Sequence, residues 1–162
     1  MMDYQTAVRG AFFDIAGVAE TPDEVAAQAR YLDDGLLFLQ EGKIIALLPW
    51  QEGEAFLHPL KGYVDLRGKL LLPGFVDAHV HYPQTEMIGA FGEQLLEWLT
   101  TYTFPVESQF ADAEYAQEIA QFFVNQLISH GTTTALVFCT LHPASVEALF
   151  SEIGRASCRE RV

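Results

Sequence analysis

Residues 73–81, PGFVDAHVH, decide how the rest of the chain is read. An apolar run, LLLPGFVDAHV over 70–80, leads into two histidines spaced two apart. Side chains at i and i+2 of a strand point to one face, so His79 and His81 project together, about 6.6 Å apart along the strand. Both rings can lean onto one ion at zinc–nitrogen distances of about 2.0–2.1 Å. Asp77 belongs to the same row and is placed to orient one of the rings. The nearly continuous apolar run predicts a strand buried on both faces, as in a parallel sheet covered by helices. A His-x-His pair alone is a weak pattern, since paired surface histidines are common. The run that delivers these two makes them more specific.

Upstream, AVRGAFFDIA (7–16) reads as a strand with mixed apolar alternation. TPDE (21–24) is a helix start: Thr21 caps, Pro22 suits the first helical position and Glu24 completes a capping box. In DDGLLFLQEGKIIALLPW (33–50) two apolar runs flank Glu41-Gly42, the pattern of a β-hairpin. YVDLRGKLLLPGF (63–75) holds a further short strand and a turn at Arg67-Gly68. Residues 1–66 therefore read as a small β-rich domain with one helical insertion.

Downstream, EQLLEWLTTY (93–102) has helical spacing, with Trp98 on its apolar stripe as a core residue. DAEYAQEIAQFFVNQLISH (112–130) is a stronger helix, capped by Asp112 and closed by Gly131, with Tyr115, Ile119, Phe122, Phe123 and Leu127 as its apolar stripe. TTTALVF (132–138) is a β-branched strand, and PASVEALFSEI (143–153) begins another helix. Residues 67–153 thus alternate strand, helix, strand, helix, which is the beginning of a parallel α/β structure.

The final nine residues, GRASCRERV (154–162), break this texture: they carry as many arginines as the preceding 153. They match a translation of a common sequencing adapter and are set aside as a non-native tail.

Composition narrows the function classes. Half of the 162 residues are hydrophobic, enough for a sizeable core, and the net charge of -13 argues against a nucleic-acid partner. No apolar run reaches the length of a membrane span, and the first residues lack the pattern of a secretory signal, so a cytoplasmic protein is expected. Two cysteines make neither a disulfide framework nor a thiolate cluster, so a bound metal would rely on imidazole and carboxylate.

With these residues in view, PGFVDAHVH resembles the first-strand signature of the amidohydrolase superfamily, P-G-x-[IV]-D-x-H-x-H. VRGAFFDI (8–15), YPQTEM (82–87), GEQLLEWLTTYTFPVE (92–107) and HGTTTALVF (130–138) are similar to stretches of the guanine deaminases within it. The resemblance implies an α/β fold: the start of a TIM-like (β/α)8 metal-dependent hydrolase barrel, preceded by part of a small β-sandwich. It implies one zinc ion per subunit, with His79 and His81 among its ligands. Gln84 would contact a small-molecule purine, and the loop His81, Tyr82, Pro83, Gln84 would line the pocket. A carboxamide, both donor and acceptor, suits a purine edge. The remaining ligands and the general base are expected beyond residue 153, so no catalytic residue is assigned within the chain. The implied reaction is hydrolysis of guanine to xanthine and ammonia, carried out by a complete enzyme expected as a homodimer, with this shorter chain inactive by itself. Two rival readings stay open: another metal-dependent amidohydrolase, such as a chlorohydrolase or a different aminohydrolase, and a non-catalytic β-rich binding module.

Overall fold

The computed structural model describes residues 3–58, 62–92 and 94–156. They form two compact units, one ending at Pro73 and the other starting at Gly74.

The first unit is built on strands β1 (Thr6–Ile15), β2 (Ala29–Gln40), β3 (Lys43–Pro49) and β4 (Val64–Leu71), in the sheet order β3-β2-β1-β4. β1–β2 and β2–β3 are antiparallel, whereas β4 lies parallel to β1. The hairpin falls at Glu41-Gly42 as its chemistry requires, with φ of 50° and 74°. Both central residues have positive φ, the twist that matches right-handed strands. Between β1 and β2, helix α1 (Pro22–Gln28) opens with the expected capping box: Glu24 N–H donates to Thr21 Oγ1, and Thr21 N–H to Glu24 Oε2. Tyr4, Ala7, Leu36 and Phe38 are buried together, with Trp50 of the short helix α2 (Trp50–Gly53) packed against them. The Arg9 guanidinium forms a bidentate pair with Asp34 (2.7 and 2.6 Å) and lies 3.5 Å above the Trp50 ring. Among the described residues this unit holds one sheet, and a second sheet of a sandwich is not among its strands.

The apolar run over 70–80 is not one strand. Leu70 and Leu71 end β4 in the first unit, and β5 (Phe75–His81) begins after the Pro73-Gly74 break. Proline lacks the N–H a ladder needs, so the run divides there.

In the second unit β5 pairs in parallel with β6 (Thr132–Phe138). The connection between them carries helix α3 (Leu95–Trp98), a π-helical turn over Leu99–Thr103, helix α4 (Phe104–Ser108) and the long helix α5 (Ala113–Ser129). Asp112 caps α5 by accepting from Glu114 N–H and Tyr115 N–H. Gly131, at φ 83°, ends it in the left-handed conformation. Helix α6 (Pro143–Ala156) follows β6 and runs on into the stretch set aside as a tail, of which residues 157–162 lie outside the described residues.

The core of this unit gathers Ala116, Ile119, Ala120, Phe123 and Val124 of α5 with Ala148 and Leu149 of α6, Tyr82 and Phe110. The expected α5 stripe is corrected at Phe122, which is 51% exposed. The row 116-119/120-123/124-127 defines the buried face, and Phe122 lies about 100° around the helix from Phe123. Val80 and Val137 pack toward this core. On the opposite side His79 and His81 share a row facing Phe138, beyond a register shift of the ladder between Asp77 and Val80. The expectation of burial on both faces is therefore corrected: Phe75 and Val76 are 55% and 70% exposed.

Candidate functional site

The C-terminal end of β5 brings His79 and His81 together as the spacing requires. Their Nε2 atoms are 3.1 Å apart. Two nitrogens each 2.0–2.1 Å from a common ion have this separation when they subtend roughly 100° at it, close to tetrahedral. The donor set and its spacing therefore fit one side of a zinc coordination shell. Among the described residues no group of three or more His, Cys, Asp or Glu is placed to complete such a shell.

The floor beneath the histidines is Phe138, the last residue of β6, which lies opposite His81 in the ladder. The His79 and His81 ring centroids are 4.6 and 4.8 Å from that of Phe138, and His81 stacks on it at 14°. An aromatic face restricts both imidazoles without competing for their nitrogens. Sequence reasoning missed Phe138 because only the parallel register places it there.

Asp77 does not orient a histidine ring through its carboxylate. Its Oδ1 accepts from the His79 backbone N–H at 3.0 Å and so fixes the strand at the point where the ligand leaves it.

A turn of 3-10 helix over Tyr82–Met87 follows β5, and it sorts the expected pocket residues. Tyr82 and Pro83 are fully buried. The Tyr82 hydroxyl donates to the Ser145 carbonyl at 2.7 Å, and its ring meets Phe110 edge-on at 5.2 Å. Burial pushes its phenol pKa up. Tyr82 belongs to the core of the unit, and neither side chain lines the open depression beside the histidines. His81 and Gln84 instead line an open depression together with His79, Thr85, Trp98 and His130. Trp98 is half-buried there, and its Nε1–H donates to the Ala90 carbonyl at 3.0 Å.

Gln84 reaches 3.5 Å from His81 Nδ1 and donates through Nε2 to Glu107 Oε1 at 3.1 Å. Glu107, on α4, was not singled out from the sequence, where it lies far from Gln84 with no motif linking the two. Of the other carboxylates nearby, Glu86 accepts the Tyr115 hydroxyl proton in a hydrogen bond. Burial first, and then this carboxylate, hold the Tyr115 phenol protonated well above its usual range. Glu93 lies outside the described residues.

The comparisons with known proteins agree with one another. The guanine deaminase of Escherichia coli K12 is 49% identical over 153 residues, which is 94% of this chain and 35% of that protein. The solved structure of E. coli guanine deaminase superposes with a TM-score of 0.88 over 93% of this chain and 35% of that one. A guanine deaminase from C. acetobutylicum, solved with guanine bound in its active site, is 27% identical with a TM-score of 0.75, covering 93% of this chain and 34% of that chain. The chain thus spans about a third of the length of these relatives. The parallel β5–β6 pair with its helices is the corresponding part of a hydrolase barrel. Residues 70–159, which include both histidines, match the amidohydrolase family, and the chain belongs to that family.

Proposed function

We propose that this chain is part of a zinc-dependent guanine deaminase, which hydrolyses guanine to xanthine and ammonia. The observation that carries the reading is the His79–His81 pair. Its two Nε2 atoms converge to 3.1 Å at the end of a barrel-type strand, with a carboxamide one turn away. The similarity to guanine deaminases over 94% of the chain supports guanine as the substrate.

In this reading His79 and His81 hold the metal through Nε2, with the other ligands supplied by the rest of the complete protein. The chemistry that zinc supplies when bound is Lewis acidity, which makes hydrolysis by water feasible near neutral pH. The chain's own residues position the reactants. Phe138 lies against both imidazoles and limits their rotation, and Asp77 pins the backbone of the first ligand. Gln84 offers its carboxamide to the purine edge from the turn that follows the metal strand. At the C-terminal end of a barrel strand all of these groups face the mouth where substrates bind.

The test uses the complete protein that carries this sequence. His79→Ala and His81→Ala are each expected to lose most of the bound zinc and nearly all guanine turnover, measured by metal analysis and ammonia release. Full zinc content with undiminished turnover in either variant would overturn the reading.

A further inference from the structure

We infer that Glu107 is a positioning residue: it fixes the Gln84 carboxamide so that Oε1, a hydrogen-bond acceptor, faces the substrate. The inference rests on the proposed reading of Gln84 as a purine contact.

A carboxamide has two nearly isosteric ends, one donating and one accepting, and rotation by half a turn exchanges them. A residue that reads a ligand through such a group is specific only if something sets the orientation. Glu107 does so because an ionised carboxylate accepts and cannot donate. The 3.1 Å contact between Gln84 Nε2 and Glu107 Oε1 is favourable in one orientation only, since the flipped amide would set oxygen against oxygen. Both side chains are part-buried, so water competes poorly for the contact. His81 Nδ1, which carries a proton when Nε2 holds the metal, would favour the opposite orientation, but at 3.5 Å it is weaker than the charge-assisted bond to Glu107. Gln84 Oε1 makes no hydrogen bond among the described residues. What the depression presents at this point is therefore an acceptor, and the ligand feature that meets it is an N–H, which the guanine ring carries.

A double-mutant cycle in the complete protein separates this role from a structural one. Glu107→Ala frees the amide to turn and is expected to raise KM for guanine about tenfold, the cost of one misaligned hydrogen bond, with kcat changed less than about twofold. In the Gln84→Ala background the same substitution is expected to do nothing further, because there is no carboxamide left to orient. Glu107→Gln keeps an acceptor but loses the charge and should give an intermediate KM, and it carries the test if Glu107→Ala does not fold. Zinc content is expected to stay level throughout. Losses that simply add in the double variant, or an unchanged KM in Glu107→Ala beside a raised one in Gln84→Ala, would overturn the inference. A wild-type enzyme that hydrolyses guanine but ignores Gln84→Ala would instead remove the reading of Gln84 itself. A wild-type enzyme inactive on guanine would remove the proposed function.

Discussion

Phe138 packs its ring against both imidazoles. Groups that orient metal ligands typically change affinity ten- to a hundredfold when lost. Phe138→Ala in the complete protein is therefore expected to weaken zinc binding at least tenfold, read by competition with a chelator. Its stability cost should be small, because Phe138 is 40% exposed. Zinc affinity equal to that of the wild type would show that the floor is dispensable. At this scale the sequence was legible where spacing along one element decides the outcome. His79 and His81 face one side because they sit two apart on a strand, and no tertiary information is needed. Phe138 and Glu107 were not legible, because each depends on a register or a helix position set by the whole unit. Tyr82 shows a related effect. Position in a loop after the metal strand suggested the pocket, but a bulky aromatic one residue past His81 falls on the opposite, core-facing side.

Turns and caps were the most readable elements. Glu41-Gly42, the Thr21–Glu24 box, the Asp112 cap and the Gly131 stop each rest on local backbone chemistry, and each is found where the residues place it. The apolar run into β5 was harder, since hydrophobicity alone does not tell one strand from the end of one and the start of another. The joint lies at Gly74, where β5 begins beside β6. A Cβ built there would stand 1.9 Å from Thr133 Oγ1 and 2.6 Å from Thr133 Cβ. Rotating the threonine can move its hydroxyl, but its Cβ moves only with the backbone. Gly74→Ala is therefore expected to destabilise the protein by about 1–3 kcal/mol, as overpacking does. Thr133→Gly should restore part of the loss. A denaturation midpoint unchanged by Gly74→Ala would mean that the two strands have more room than the geometry shows.

On the scale of the whole molecule the second unit exposes much apolar surface. Val76, Phe91, Leu95, Leu96 and Leu141 are all at least 70% exposed, and helices cover only one row of β5. Such surface favours association even against the repulsion of a net charge of -13. Produced by itself, this chain is expected to form concentration-dependent oligomers, to bind an apolar dye and to release no ammonia from guanine. A monodisperse monomer by light scattering, with no dye binding, would contradict this. No helix among the described residues is long and apolar enough to cross a membrane. The two-stranded sheet at the centre of this unit has one further consequence. In a parallel pair, alternate residues of each strand turn their amides toward the neighbour, and the residues between them turn theirs away. Among the described residues β5 and β6 have only each other as ladder partners. Their backbone hydrogens therefore fall into two populations along the same few residues, one locked in the ladder and one open to trade with solvent water, save where a side chain takes the hydrogen, as Asp77 does that of His79.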